Sequence, residues 1–163
     1  MLLTVGIDPG LAIVGFGLIE NDKRKLNVID YGKILTPSEL DISKRLEIIH
    51  IEMEKLFEMY KPDQVAIEKL FFNTNVTTAI NVSRANGVIL LSAAIRNIEI
   101  YEYTPLQVKQ SVVGYGNANK QQVQQMVKNI LKLQEIPKPD DVADAIAVAI
   151  CHIHIQGFRS CIN

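Results

Sequence analysis

The chain has 163 residues, 48% of them hydrophobic, which fits one domain with a sizeable core. No apolar run is long enough to span a bilayer and the basic-headed start of a signal peptide is missing, so a cytoplasmic protein is expected. The 17 Lys and Arg nearly balance 18 Asp and Glu, a net charge of −1 that gives no first indication of nucleic acid.

Leu2, Leu3, Val5 and Ile7 form an almost unbroken apolar run, the pattern of a central strand covered on both faces. The run ends on Asp8, followed by the turn signal Pro9-Gly10. A charge ending a buried strand is costly unless a partner or a metal ion answers it; a solvated Asp opening a turn is the plainer reading. Ala12 to Glu20 suits a second strand, in which Gly15 and Gly17 indicate close backbone approach or a bulge. Leu26 to Leu35 returns as a third, completing an antiparallel meander.

Thr36-Pro37 ends that strand, and Ser38 or Ser43 is the expected cap of the next helix. Leu46, Ile49, Met53, Leu56, Phe57 and Tyr60 then recur at helical spacing, with His50 a structural residue among them. Gln64 to Ile67 is a short apolar run ending on Glu68, the pattern of the first strand again. A strand–helix–strand crossover returns a parallel strand. If it lies beside the first, Asp8 and Glu68 emerge at one edge.

Val76 to Ile95 reads as a helix that is apolar nearly all round, more than one sheet face covers, so a second subunit is expected. Ile89 stands for that surface, although it could instead face the sheet. Ile98 to Tyr103 makes a fifth strand and Thr104-Pro105 opens a short helix. After the glycine loop at 114–117, Val123, Met126, Val127, Ile130 and Leu131 mark a helix with a Gln-rich outer face. Pro137 and Pro139 end that segment, and Asp140 opens a final Ala-rich helix. Cys151 reads as a small core residue on it, and with Cys161 it lacks metal-type spacing, as in a reducing compartment. The chain divides as a single domain over 1–157 and a short tail over 158–163.

On the final helix Asp141 and Asp144 share a face at i, i+3; Asp140 and Asp144 do so at i, i+4. Spacing alone does not choose between Asp140 and Asp141, and acids in a first turn are ordinary helix-dipole chemistry. Asp144, a turn further in among sheet-facing alanines, is not explained that way. Four converging carboxylates repel unless divalent cations lie between them, and oxygen-only ligands suit Mg²⁺ or Mn²⁺. Two such ions can activate water and stabilise a leaving oxygen in phosphodiester cleavage. Setting aside Asp8, Glu68, Asp140, Asp141 and Asp144, the remaining surface is mildly basic.

The motifs GIDPG (6–10), IEKLFF (67–72), QVKQSVVGYGNANK (107–120) and DDVADAIAVAICH (140–152) together resemble the RuvC family of Holliday-junction resolvases. The resemblance covers essentially the whole chain. It implies a ribonuclease-H-like α/β fold, a five-stranded mixed sheet flanked by helices. It also implies Mg²⁺-dependent nicking of two opposed strands of a four-way DNA junction, two ions per subunit, by a homodimer in recombination and repair. The family's companions are the RuvA and RuvB branch-migration proteins. The family's four acids correspond to Asp8, Glu68, Asp141 and Asp144, with Asp8 bridging both ions. Phe71 matches an aromatic that stacks on a junction base, while Phe72 reads as core. Lys109 and Lys120, solvated lysines by composition, match phosphate contacts, and Arg84 is a further candidate for DNA.

His152 and His154, at i, i+2 on a helix, point to different sides and do not suit one metal ion; like Tyr115, they receive no role. Rival readings are an RNA-processing nuclease of the same fold, a junction-binding protein without catalysis, and half of an actin-like ATPase. The last would need a second Asp-x-Gly half that 163 residues cannot supply.

Overall fold

The structure, a computed structural model, describes residues 1–22, 25–69 and 76–162, without the side chains of 76–78 and 158–162. Five strands, β1 (Leu2–Asp8), β2 (Ile13–Asp22), β3 (Lys25–Leu35), β4 (Gln64–Glu68) and β5 (Glu99–Tyr103), form one mixed sheet in the order β3-β2-β1-β4-β5. The meander β1–β2–β3 is antiparallel, and β4 and β5 are added parallel to β1. The helices are α1 (Ile42–Tyr60), α2 (Val76–Ile95), α3 (Pro105–Val113), α4 (Lys120–Leu131) and α5 (Asp140–Ile162). α5 runs without a break past residue 157, where the sequence was divided into domain and tail.

Alternation along the strands separates two cores. Val5 and Ile7 of β1 and Val65 and Ile67 of β4 face α1 and α2, where they meet Ile49, Met53, Phe57 and Ile89. The opposite face receives Ala66 and Tyr103 of the sheet together with α3, α4 and α5. Both sides of the central strands are dry, and each fully buried Val or Ile contributes roughly 1.5–3 kcal/mol. That explains why β1 reads as a continuous apolar run.

α5 lies closely against β1 and β2, and at the strand glycines it occupies the space a side chain would need. A Cβ on Gly6 would fall 2.1 Å from the carbonyl oxygen of Ala145, and one on Gly15 would fall 2.0 Å from that of Asp141. Close approach is therefore the meaning of the strand glycines; β2 also has a register shift, at Leu18/Ile19, away from Gly15.

Two details depart from the sequence reading. α1 is entered from Asp41, which makes no side-chain cap, and neither Ser38 nor Ser43 caps it. Ile89 is fully buried against the sheet and α1, whereas Ile80, Leu91 and Ile95 carry the exposed apolar surface of α2. Helical spacing puts Ala85, Ile89 and Ala93 on the inner face and leaves Ile80, Gly87, Leu91 and Ala94 on the outer one. His50 is structural as expected, its Nδ1–H donating to Ser92 of α2 at 2.8 Å while the Ser92 hydroxyl donates to Val88 O.

Candidate active site

In β1, Asp8 shares strand parity with Gly6, so its carboxylate is directed to the α5 side of the sheet. Glu68 shares parity with Ala66 and is directed to the same side. The parallel register runs from Thr4 opposite Gln64 to Ile7 opposite Ile67, so Asp8 and Glu68 are the next pair, one step past the ladder. Asp8 is also paired across the sheet with Gly15, the residue under the Asp141 carbonyl. The contact that brings α5 onto glycine thus brings Asp141 over Asp8, and Asp144 follows one turn later beside Ala145. The loop after Asp8 is held by Thr36, whose hydroxyl donates to Leu11 O and accepts from Arg45 Nε at 2.9 Å.

Burial and mutual repulsion dominate the electrostatics. Asp8 is pushed up to about 8, first by burial, then by the charges of Glu68, Asp144 and Asp141, against a smaller opposing effect of Lys120. Burial also raises Glu68, joined by Asp144 and opposed by Lys120 and Lys109. Asp144 is raised chiefly by burial although Lys120 donates a hydrogen bond to it. Three neighbouring carboxyls are thus all shifted upward from their ordinary values, as expected for buried acids lacking enough positive charge.

Lys120 is the first residue of α4, fixed there by a reciprocal capping box between Asn119 and Gln122. Its Nζ is 2.9 Å from Asp144 Oδ2 and 3.4 Å from Asp140 Oδ2. Burial opposes the Lys120 charge, but the hydrogen bonds and charges of Asp144 and Asp140 outweigh it. Asp140 is exposed and held low, first by the neighbouring Gln124 amide and then by Lys120. The Gln124 nitrogen nevertheless closes no hydrogen bond of standard geometry; its effect is that of a nearby dipole.

Lys109, half-buried on α3, lies within electrostatic reach of Glu68. Arg84 is exposed on the outer face of α2, its guanidinium donating to Asn81 Oδ1 at 3.4 Å. Tyr115 is exposed in the loop after α3. Phe71 and Phe72 lie outside the described residues. Among the described residues no three acidic, His or Cys side chains stand as a formed ligand set. The donor chemistry nevertheless fits hard divalent cations: the converging ligand atoms are carboxylate oxygens, and the nearby lysines leave Asp8 and Glu68 only partly compensated.

Sequence reasoning missed a polar chain behind this edge. Gln64 Nε2 donates to Glu99 at 3.4 Å, which leaves its Oε1 to accept from His152 Nε2–H at 2.7 Å. His152 Nδ1 is then the acceptor of the Tyr103 hydroxyl at 2.8 Å. His152 also packs on the Tyr101 ring, with centroids 4.6 Å apart. Burial holds this imidazole down to about 4, against a smaller effect of Glu99. His154 instead approaches Ser111, so the two histidines do separate. The alternation Tyr101-x-Tyr103, on the strand next to Glu68, was the available signal.

The family model described as crossover junction endodeoxyribonuclease RuvC matches residues 4–152. The enzyme of that name from Halothermothrix orenii is 61% identical over 151 residues, covering 93% of this chain and 92% of the relative. That from Alkaliphilus metalliredigens is 57% identical over 159 residues, covering 98% and 97%. Among solved structures, Thermus thermophilus RuvC in complex with Holliday junction substrate is similar at a TM-score of 0.92 and 31% identity, covering 98% of this chain and 97% of that one.

Proposed function

This chain belongs to the RuvC family of crossover junction endodeoxyribonucleases, and on that premise we propose that it resolves Holliday junctions by nicking two opposed DNA strands in recombination and repair. The observation that carries the reading is the convergence of Asp8 and Glu68, paired strand ends, with Asp141 and Asp144 of the helix laid over them.

The family is one of metal-dependent nucleases, and Asp8, Glu68, Asp141 and Asp144 are the residues that would hold the metal here, as two Mg²⁺ per subunit with Mn²⁺ as a substitute. Divalent cations bound by these oxygens supply Lewis-acid stabilisation of a phosphodiester and a more acidic water. The protein's own contribution is placement. Asp8 and Glu68 end central strands and α5 is seated on glycine, so the backbone positions that carry the carboxylates are fixed by the fold. Lys109 and Lys120 flank the acids as compact cations for the DNA backbone, where they position a phosphate and offset charge developing on it. Phe71, three residues past Glu68, stacks on a base at the branch point in this reading. Arg84 shares the outer face of α2 with Leu91, so it serves as a DNA contact only where a partner subunit leaves it accessible.

A junction offers two equivalent strands, and a two-fold dimer through the outer face of α2 presents two equivalent sites. RuvA and RuvB would deliver the junction. Among the described residues no helix is long and apolar enough to cross a membrane, compatible with action on DNA in the cytoplasm.

Incubation with a synthetic four-way junction and Mg²⁺ tests the reading against an unbranched duplex and an RNA hairpin. Paired, symmetric nicks in the junction, abolished by chelation, are expected. Preferential cleavage of the RNA, or binding without Mg²⁺-dependent cleavage, would overturn it.

A further inference from the structure

One ammonium is shared between two carboxylates of unequal standing. Lys120 Nζ lies 2.9 Å from Asp144, a proposed ligand, and 3.4 Å from Asp140, which is outside the ligand set. The Asp144 side chain is 27% exposed and that of Asp140 61%, so the contact of Lys120 with Asp144 is the better shielded of the two. A divalent cation engaging Asp144 Oδ2 competes for the oxygen that Lys120 holds, and it repels the lysine at short range. The backbone of Lys120 is pinned by the Asn119–Gln122 capping box, so the change falls on its flexible four-carbon stem. Asp140, on the same turn of α5 and beside Gln124, offers that stem an alternative carboxylate.

We propose that Lys120 is a resident counter-ion which a divalent cation displaces from Asp144, and that Asp140 is the positioning residue that keeps the released ammonium at the site. This rests on the metal-binding reading of the four acids and adds to it a competitor and a tether. Without metal, Lys120 answers part of the repulsion at Asp144. With metal, the same charge is turned outward, held by Asp140 where a phosphate can meet it. Metal uptake and backbone binding are thereby coupled through one side chain.

The exchange is tested on DNA-free full-length protein by Mn²⁺ titration, followed by electron paramagnetic resonance of the unbound ion. Wild type is compared with Lys120→Gln, Asp140→Asn and the double variant, with circular dichroism confirming each fold. Lys120→Gln should bind Mn²⁺ severalfold more tightly, because the competitor is gone. Asp140→Asn should weaken binding in the wild-type background, where Lys120 is thrown wholly onto Asp144, and clearly less in the Lys120→Gln background. Equal or weaker binding by Lys120→Gln would overturn the competition. An equal effect of Asp140→Asn in both backgrounds would overturn the tether, leaving Asp140 as a remote charge. Failure of all four proteins to take up Mn²⁺ would overturn the metal-binding reading, and the exchange with it.

Discussion

The α-carbon of Gly6 lies so close to Ala145 that a methyl group there would fall 2.1 Å from the Ala145 carbonyl oxygen and 2.6 Å from Ala149 N. Both obstacles are backbone, which a rotamer change cannot relieve. Gly6→Ala should therefore lift α5 from β1, at a cost on the order of 1–3 kcal/mol or more. Asp144 adjoins Ala145, so junction cleavage should fall further than the lost stability explains. Urea denaturation beside cleavage of a fixed folded fraction measures both. Unchanged stability would mean that α5 is seated less rigidly than Gly6 implies.

Asp8→Asn should abolish nicking and yet stabilise the metal-free protein. The folded carboxyl titrates at about 8 rather than in the ordinary acidic range. Between about pH 4 and 8 the folded state keeps a proton that the unfolded chain has released, so stability falls as pH rises through that window. Asparagine removes this linkage. Melts with chelator should show little difference near pH 4 and an advantage for the variant of roughly 1–3 kcal/mol at pH 8. By the same sign, wild-type metal affinity should climb towards pH 8, with protons released on binding. A variant less stable than wild type at pH 8 would contradict the burial cost assigned to Asp8.

Leu91→Glu should yield monomers. Leu91 is 58% exposed on the outer face of α2, so a charge there spares the core, whereas Ile89→Glu would place one inside it. The melting free energy of the protomer should change by no more than about 0.5 kcal/mol. Sedimentation would report mass, and a supercoiled cruciform plasmid would report whether cuts come paired. A wild-type protein that is monomeric with junction present would refute the dimer.

His152→Gln should flatten an acid limb of stability. The imidazole is held near 4 in the fold, below the range of an exposed histidine. Its contribution is complete above about pH 6.5 and is lost as pH falls towards 4, because the unfolded chain takes up the proton first. Wild type should lose up to roughly 3 kcal/mol across that interval beyond what the variant loses. Parallel losses in the two proteins would show that His152 stays neutral for free, contrary to its burial.

Much of the site was legible because strand chemistry is local. An apolar run ending on an acid, repeated at Asp8 and Glu68, already implied paired carboxylates once a crossover made the strands neighbours. Gly15 already carried the nearness of another backbone, without saying which. Asp141 could not be told from Asp140 by spacing, since both share a face with Asp144; the choice between them rests on the family resemblance. What stayed hidden depends on distant segments. The hold of Lys120 on Asp144 joins the start of α4 to α5, and the His152 chain joins α5 to β4 and β5. The burial of Ile89 was decided by the phase of α2 against α1, which an all-round apolar helix does not reveal.

The seating of α5 on β1 also has a consequence for how the protein is born. Asp8 leaves the ribosome early and Asp144 late, and they meet only after the intervening crossover has closed. Such pairing of early with late residues is slow to form and absent from any partial chain. A nascent chain stalled before α5 can complete the meander but holds only two of the four acids, with no helix to cover them. Synthesis itself then acts as a safety catch, since a copy stalled before α5 carries only half of the proposed cutting site.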